Sequence, residues 1–183
     1  MEYCHFIYKS WAKIQKQKYE GILRALGKKA FENKNILDVG SGPGYFLNFL
    51  REKQILFKHY LGIDPSKKHI LEARENIRNS EKEAFLLAKF EHLPINLDFF
   101  NTFLFFDVIH LINKARFSNF IKSLTSKDDF IVVISLFKRK ANVIEEIKGT
   151  LENDLKHKFK IKGFALAEIQ EEEEVLIVEP QTF

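Results

Sequence analysis

The sequence predicts an α/β fold: a mostly parallel sheet of seven strands, helices on both of its faces, and an antiparallel hairpin at the C-terminal end. Three observations carry this expectation. Short apolar runs recur along the chain, segments of helical periodicity separate them, and the last two runs are parted only by an acidic stretch. Alternation of this kind favours parallel pairing, because a crossover helix must carry the chain back before the next strand can start.

The elements follow in order. Residues 9–27 read as a helix. Trp11, Ile14, Tyr19, Ile22, Leu23 and Leu26 mark its apolar face, Lys13, Lys16 and Lys18 its solvent face, and Gly27 its end. Residues 35–39 form a short buried strand that runs into Gly40-Ser41-Gly42-Pro43-Gly44. Residues 45–53 make a helix with Phe46, Phe49 and Leu50 inward. Residues 60–63 are the second strand, ending at Asp64, and Pro65-Ser66 opens a helix over 67–78. Residues 84–87 and 101–106 are the third and fourth strands, with Asp107 closing the fourth. A helix over 114–124, a turn at Asp128-Asp129 and an apolar fifth strand over 130–137 come next. A helix over 141–157 precedes two strands, 158–169 and 175–179, and the Glu171–Glu174 run between them reads as a solvated turn. Nineteen Phe predict an aromatic-rich core.

The 183 residues suit one domain, and a hydrophobic fraction of 45% excludes wholesale disorder. Within residues 1–183, the first 30 are spare to the sheet and are expected to fold as a helical lid, carrying Tyr3, Tyr8 and Trp11, over a core of residues 35–183. The single cysteine, Cys4, excludes an internal disulfide and argues against a Cys/His metal cluster. The apolar runs at 103–106, 108–112 and 130–137 are far short of a membrane span, and residues 1–11 lack a signal-peptide pattern. A reduced, cytoplasmic protein without a membrane partner is therefore expected. A net charge of +4 permits an anionic partner without demanding one.

The stretch Asp38-Val39-Gly40-Ser41-Gly42-Pro43-Gly44 turns a strand sharply into a helix, where glycine tolerates positive φ and lets a ligand approach the main chain. Free N–H groups are expected at the helix start. The glycines at 40, 42 and 44 miss the dinucleotide spacing G-x-G-x-x-G, since residue 45 is Tyr45. Asp64 ends the second strand, where a carboxylate can accept from both ribose hydroxyls. The pattern asks for a nucleoside rather than a pyrophosphate, which counts against a nicotinamide-dependent oxidoreductase.

These residues resemble the D-V-G-x-G-x-G motif of class I S-adenosylmethionine-dependent methyltransferases. Leu61-Gly62-Ile63-Asp64-Pro65-Ser66 is similar to that family's second motif, Glu91-His92-Leu93-Pro94-Ile95 to its third region and Phe105-Phe106-Asp107-Val108-Ile109-His110 to its fourth. The resemblance implies a Rossmann-like fold, S-adenosyl-L-methionine as cofactor and methyl transfer as activity. It implies that Asp38 and the Gly40, Ser41, Gly42, Pro43 and Gly44 backbone hold the methionine end and that Asp64 grips the ribose. Pro65 then packs on the adenine, with Phe90 and Glu91 at its edge. Where the family often has an acid for the adenine amino group, this chain has Lys89, a donor only.

The cofactor's methyl is already activated, so the protein's main task is alignment, and a base is needed only for a protonated acceptor. Asp107 reads as an acceptor near the methionine moiety, as a substrate-orienting carboxylate, or as a helix cap. His110, three residues on, is a candidate base. A Lys-Asp-Lys-Glu set like that of ribose 2′-O-methylating enzymes is conceivable from Lys28 or Lys29 with Asp107, Lys138 and Glu168. The acceptor is either a small molecule closed in by the lid or a macromolecule covering the mouth. Residues 1–35 hold eight Lys/Arg against three Asp/Glu, and Lys138-Arg139-Lys140 leaves the fifth strand on the ligand side, so an anionic acceptor such as RNA fits. The alternative is a non-catalytic S-adenosylmethionine-binding module or partner subunit, motivated by Lys89.

Overall fold

The computed structural model describes residues 2–137, 141–155, 159–166 and 173–181. Helix α1, Glu2–Leu26, leads into strand β1, Asn35–Val39. Then follow α2 (Tyr45–Glu52), β2 (His59–Asp64), α3 (Lys67–Glu75), β3 (Glu83–Leu87) and β4 (Thr102–Phe106). The remainder is α4 (Lys114–Ser123), β5 (Ile131–Phe137), α5 (Ala141–Leu155), β6 (Phe159–Leu166) and β7 (Glu173–Pro180).

The seven strands form one sheet in the order β3-β2-β1-β4-β5-β7-β6. The first five in this order pair in parallel, and β7 is antiparallel to both β5 and β6. The chain thus winds outward from β1 to one edge and then from β4 to the other. Such a reversal leaves a crevice at the carboxyl ends of β1 and β4, the place where open α/β sheets receive ligands.

Alternate residues of each central strand feed two cores. Phe103, Phe105, Val132 and Ile134 face α4 and α5. Leu104, Phe106 and Val133 face the other way, toward Tyr19 and Ile22 of α1 and Phe46 and Leu50 of α2. Helices therefore cover both faces, which is why β4 and β5 are buried at every position and apolar at all but Thr102 and Ser135. The Phe content is spent here. Phe120 meets Phe103, Phe105, Phe117 and Phe90 with ring centroids 5.0–5.9 Å apart.

Two readings of single residues are corrected. Lys18 is not on the solvent face of α1: it is fully buried. Glu173 is not in a solvated turn: it is the first residue of β7 and is also fully buried. The rest of the acidic run before it, and the side chains of Tyr3, Tyr8 and Trp11, lie outside the described residues. Among the described residues no helix is long and apolar enough to cross a membrane.

Candidate active site

The bend after β1 is built by local constraint. Gly40, Gly42 and Gly44 all take positive φ, of 72°, 54° and 85°. Gly40 donates to Ile63 O at 2.8 Å and Ser41 to the same carbonyl at 3.0 Å. Gly42 donates to Asp64 Oδ2 at 3.0 Å and Gly44 to Ser41 O at 3.1 Å. These four amides, which precede the start of α2, are thus already satisfied within the fold. What the bend offers is bare approach, since a Cβ on Gly42 would meet no atom within 4 Å.

Asp64 is the hinge of the site. Its Oδ2 accepts from Gly42, and its Oδ1 accepts from Ser66 N at 2.8 Å, with His69 Nδ1 3.3 Å away. The cap of α3 is Ser66, whose hydroxyl accepts from His69 N.

Two adjoining cavities meet at this hinge, sharing Gly40, Asp64, His69 and Val108. The first, about 490 Å³, is bounded by Asp38, Ser41, Gly42, Pro43 and Asp107, with Gln15 and Tyr19 of α1 forming one wall. The second, about 610 Å³, is bounded by Pro65, Ala88, Lys89, Phe90 and Glu91. Both volumes suit a small organic ligand. The structure brings together ten of the eleven residues expected to bind cofactor. Gly44 is buried behind the bend, where its missing Cβ makes room for the Phe85 ring.

The electrostatics are acidic. Asp38 is buried and receives the Tyr60 hydroxyl, and burial pushes its carboxyl up to about 7 against that hydrogen bond. Glu91 accepts from Asn113 N at 3.0 Å, and that bond lowers its pKa. Asp107, at φ 59°, does not cap a helix: its Oδ2 takes Lys18 Nζ at 2.5 Å and Gln15 Nε2 at 3.2 Å. Ser41 Oγ and Asp107 Oδ1 are buried without a hydrogen-bond partner among the described residues. Two orphan polar atoms, two acids and an uncrowded glycine around one hollow form a set that fits a nucleoside with a cationic tail.

His110 is not brought to this place. It lines a separate hollow of about 100 Å³ against Phe117 of α4 and Ile147 of α5, because the chain makes a tight 3-10 turn at Ile109–Leu111. Nor do Lys28 and Lys29 approach Asp107. Both are exposed, and Lys28 Nζ donates to Lys53 O. Lys138–Lys140 and Glu168 lie outside the described residues. Gln15, Tyr19, Tyr45 and His69 line the first cavity although sequence reasoning passed over them. The spacing of Gln15 and Tyr19 by four was the available signal that one helix face meets the site.

Comparison with known proteins bears on the same region. A family model described as a methyltransferase domain matches residues 30–178. Malonyl-(acyl-carrier protein) O-methyltransferase of Hamiltonella defensa is 36% identical over 90 residues, 48% of this chain and 31% of that protein. The match therefore spans less than a third of that relative's length. A methyltransferase from Aquifex aeolicus, described as SAM dependent, shares the fold with TM-score 0.67 at 16% identity, over 88% of this chain and 89% of that one. Magnesium protoporphyrin IX methyltransferase from Synechocystis PCC 6803, solved with bound SAM, gives 0.64 at 16% identity, over 92% and 80%. With the family match covering most of the chain and the motif residues gathered around one crevice, the chain belongs to the class I S-adenosylmethionine-dependent methyltransferases.

Proposed function

We propose that this methyltransferase acts on an oxygen atom of a small acceptor, with α1 closing the acceptor in over the first cavity. One observation carries the placement of the cofactor. Asp64 turns toward the glycine bend and stands where the two cavities meet, so a nucleoside gripped there reaches into both. S-adenosylmethionine, when bound, supplies a methyl group already activated by its sulfonium.

The chain's own residues then have distinct tasks. Asp64 accepts from the ribose hydroxyls. Pro65 and Phe90 flank the adenine, and Glu91 adds a carboxylate beside Lys89, which answers the donor-only character of that lysine. Asp38, Ser41, Pro43 and the backbone of Gly40 and Gly42 face the methionine end. Gln15 and Tyr19 wall off water, which strengthens every polar contact inside and holds the acceptor in line.

Oxygen is favoured by the activity named for the Hamiltonella relative. A small acceptor is favoured over an anionic polymer because part of the N-terminal basic charge is matched at home. Lys16 pairs with Glu52 and Lys34 with Asp129, while Lys18 is buried.

Calorimetric titration tests the site. S-adenosylmethionine is expected to bind in the micromolar range and Asp64→Ala to weaken it at least tenfold; no binding at millimolar cofactor would overturn the reading. Methyl-labelled cofactor offered with hydroxyl acceptors, carboxylic acids and RNA tests the acceptor. Label appearing in RNA and in no small oxygen compound would replace it.

A further inference from the structure

Between α1 and the ends of β4, β5 and β7 lies an ion cluster that the roles above leave unexplained. Lys18 Nζ is 2.5 Å from Asp107 Oδ2 and 3.3 Å from Glu173 Oε1. Lys18 and Glu173 have no solvent exposure, whereas Asp107 keeps 14% and lines the first cavity. The ammonium is caged by the rings of Tyr19, Phe106 and Phe137, with centroids 5.8–5.9 Å away. Burying an ion costs several kcal/mol, of order, unless its partners are well placed, so a cluster of this kind is not neutral filler.

Its hydrogen bonding is incomplete. One ammonium faces two acids, and buried Asp38 also feels the Lys18 charge. Asp38 and Asp107 reach the cavity from this group, and Asp107 has one oxygen committed and the other, Oδ1, buried without a hydrogen-bond partner among the described residues. A guest that brings a positive charge to that oxygen completes the cluster.

We propose that Lys18 and Glu173 are positioning residues that present Asp107 to the cofactor: Glu173 holds the Lys18 ammonium in place, Lys18 fixes the Asp107 carboxylate by Oδ2, and Oδ1 takes the ammonium at the cofactor's methionine end. This rests on the cofactor reading above. Without Lys18, Asp107 Oδ2 loses its charged donor and lies near buried Glu173 with no cation between them, so the carboxylate turns away from the cavity. Removing the Glu173 carboxylate as well takes away that clash, and Gln15, which also donates to Oδ2, then holds Asp107 in place.

The test is a calorimetric comparison on the full chain of S-adenosylhomocysteine with 5′-methylthioadenosine, which shares the nucleoside and thioether but lacks the amino-acid end. Lys18→Met and Asp107→Asn are each expected to weaken S-adenosylhomocysteine at least tenfold while changing 5′-methylthioadenosine less than twofold. The double variant Lys18→Met/Glu173→Gln is expected to recover at least threefold of the loss. Should Lys18→Met not fold, Asp107→Asn and the double variant carry the comparison. Equal losses for both ligands, no loss, or no recovery in the double variant would overturn the inference alone. A wild-type chain that binds neither ligand would instead remove the cofactor reading beneath it.

Discussion

Gly40 shows how one missing carbon arranges the site. A Cβ at this residue would come 2.1 Å from Val108 Cγ1, and φ is 72°. The absence of a side chain lets the segment after β4 lie against the bend, which brings Asp107 into the cavity that Asp38 also lines. Gly40→Ala is therefore expected to cost about 2–4 kcal/mol, combining a positive-φ penalty with overpacking, read as a lower urea midpoint at unchanged slope. The bend itself was legible in sequence. The two buried ions were not, although their positions carried the sign. Ile14, Lys18 and Ile22 are spaced by four on one helix face, and Glu173, Val175 and Ile177 alternate onto one sheet face. Charge was read as solvent exposure at both places, while the period on either side placed them inside. The shortcut fails where opposite charges arrive from distant segments and meet indoors.

At the level of elements, the strands were legible to within about two residues wherever burial on both faces makes them nearly all apolar, as in β4 and β5. Helix ends were less so. The helix expected over 67–78 stops at Glu75, where the N–H of Asn76 turns back to Ala73 O and Arg74 O. Helix α1 begins at Glu2 rather than near residue 9, because nothing in its first two turns breaks a helix and the expectation followed only the clear apolar stripe. Packing between elements is dominated by edge-to-face rings. Phe120 of α4 is the hub, 5.0 Å from Phe103 and 5.8 Å from Phe105 of β4. Phe120→Ala is expected to lose about 3–5 kcal/mol through lost transfer energy and a residual cavity, measured by denaturant unfolding, with little change in cofactor affinity. A variant as stable as the wild type would mean that α4 repacks freely.

For the molecule as a whole, two buried acids set the pH response. Burial raises Asp38 from 3.8 to about 7 and Glu173 from 4.5 to about 7. The folded state thus keeps protons that the unfolded chain releases between about pH 4 and 7, so stability falls as pH rises through that window. The thermal midpoint is expected to be higher at pH 5 than at pH 8, and Asp38→Asn to shrink the difference. A midpoint that climbs from pH 5 to pH 8 would contradict this account. The sheet order also has a temporal side. Strand β7 is the last to be made, yet it sits between β5 and β6, and Lys18 meets its second acid only there. At ribosomal speeds of roughly 5–20 residues per second, the lysine waits on the order of ten to thirty seconds for that acid to emerge. A nascent chain halted before residue 173 holds a lysine with only one of its two acids and a bare flank of β5, the form of this protein in which a chaperone has most to shield.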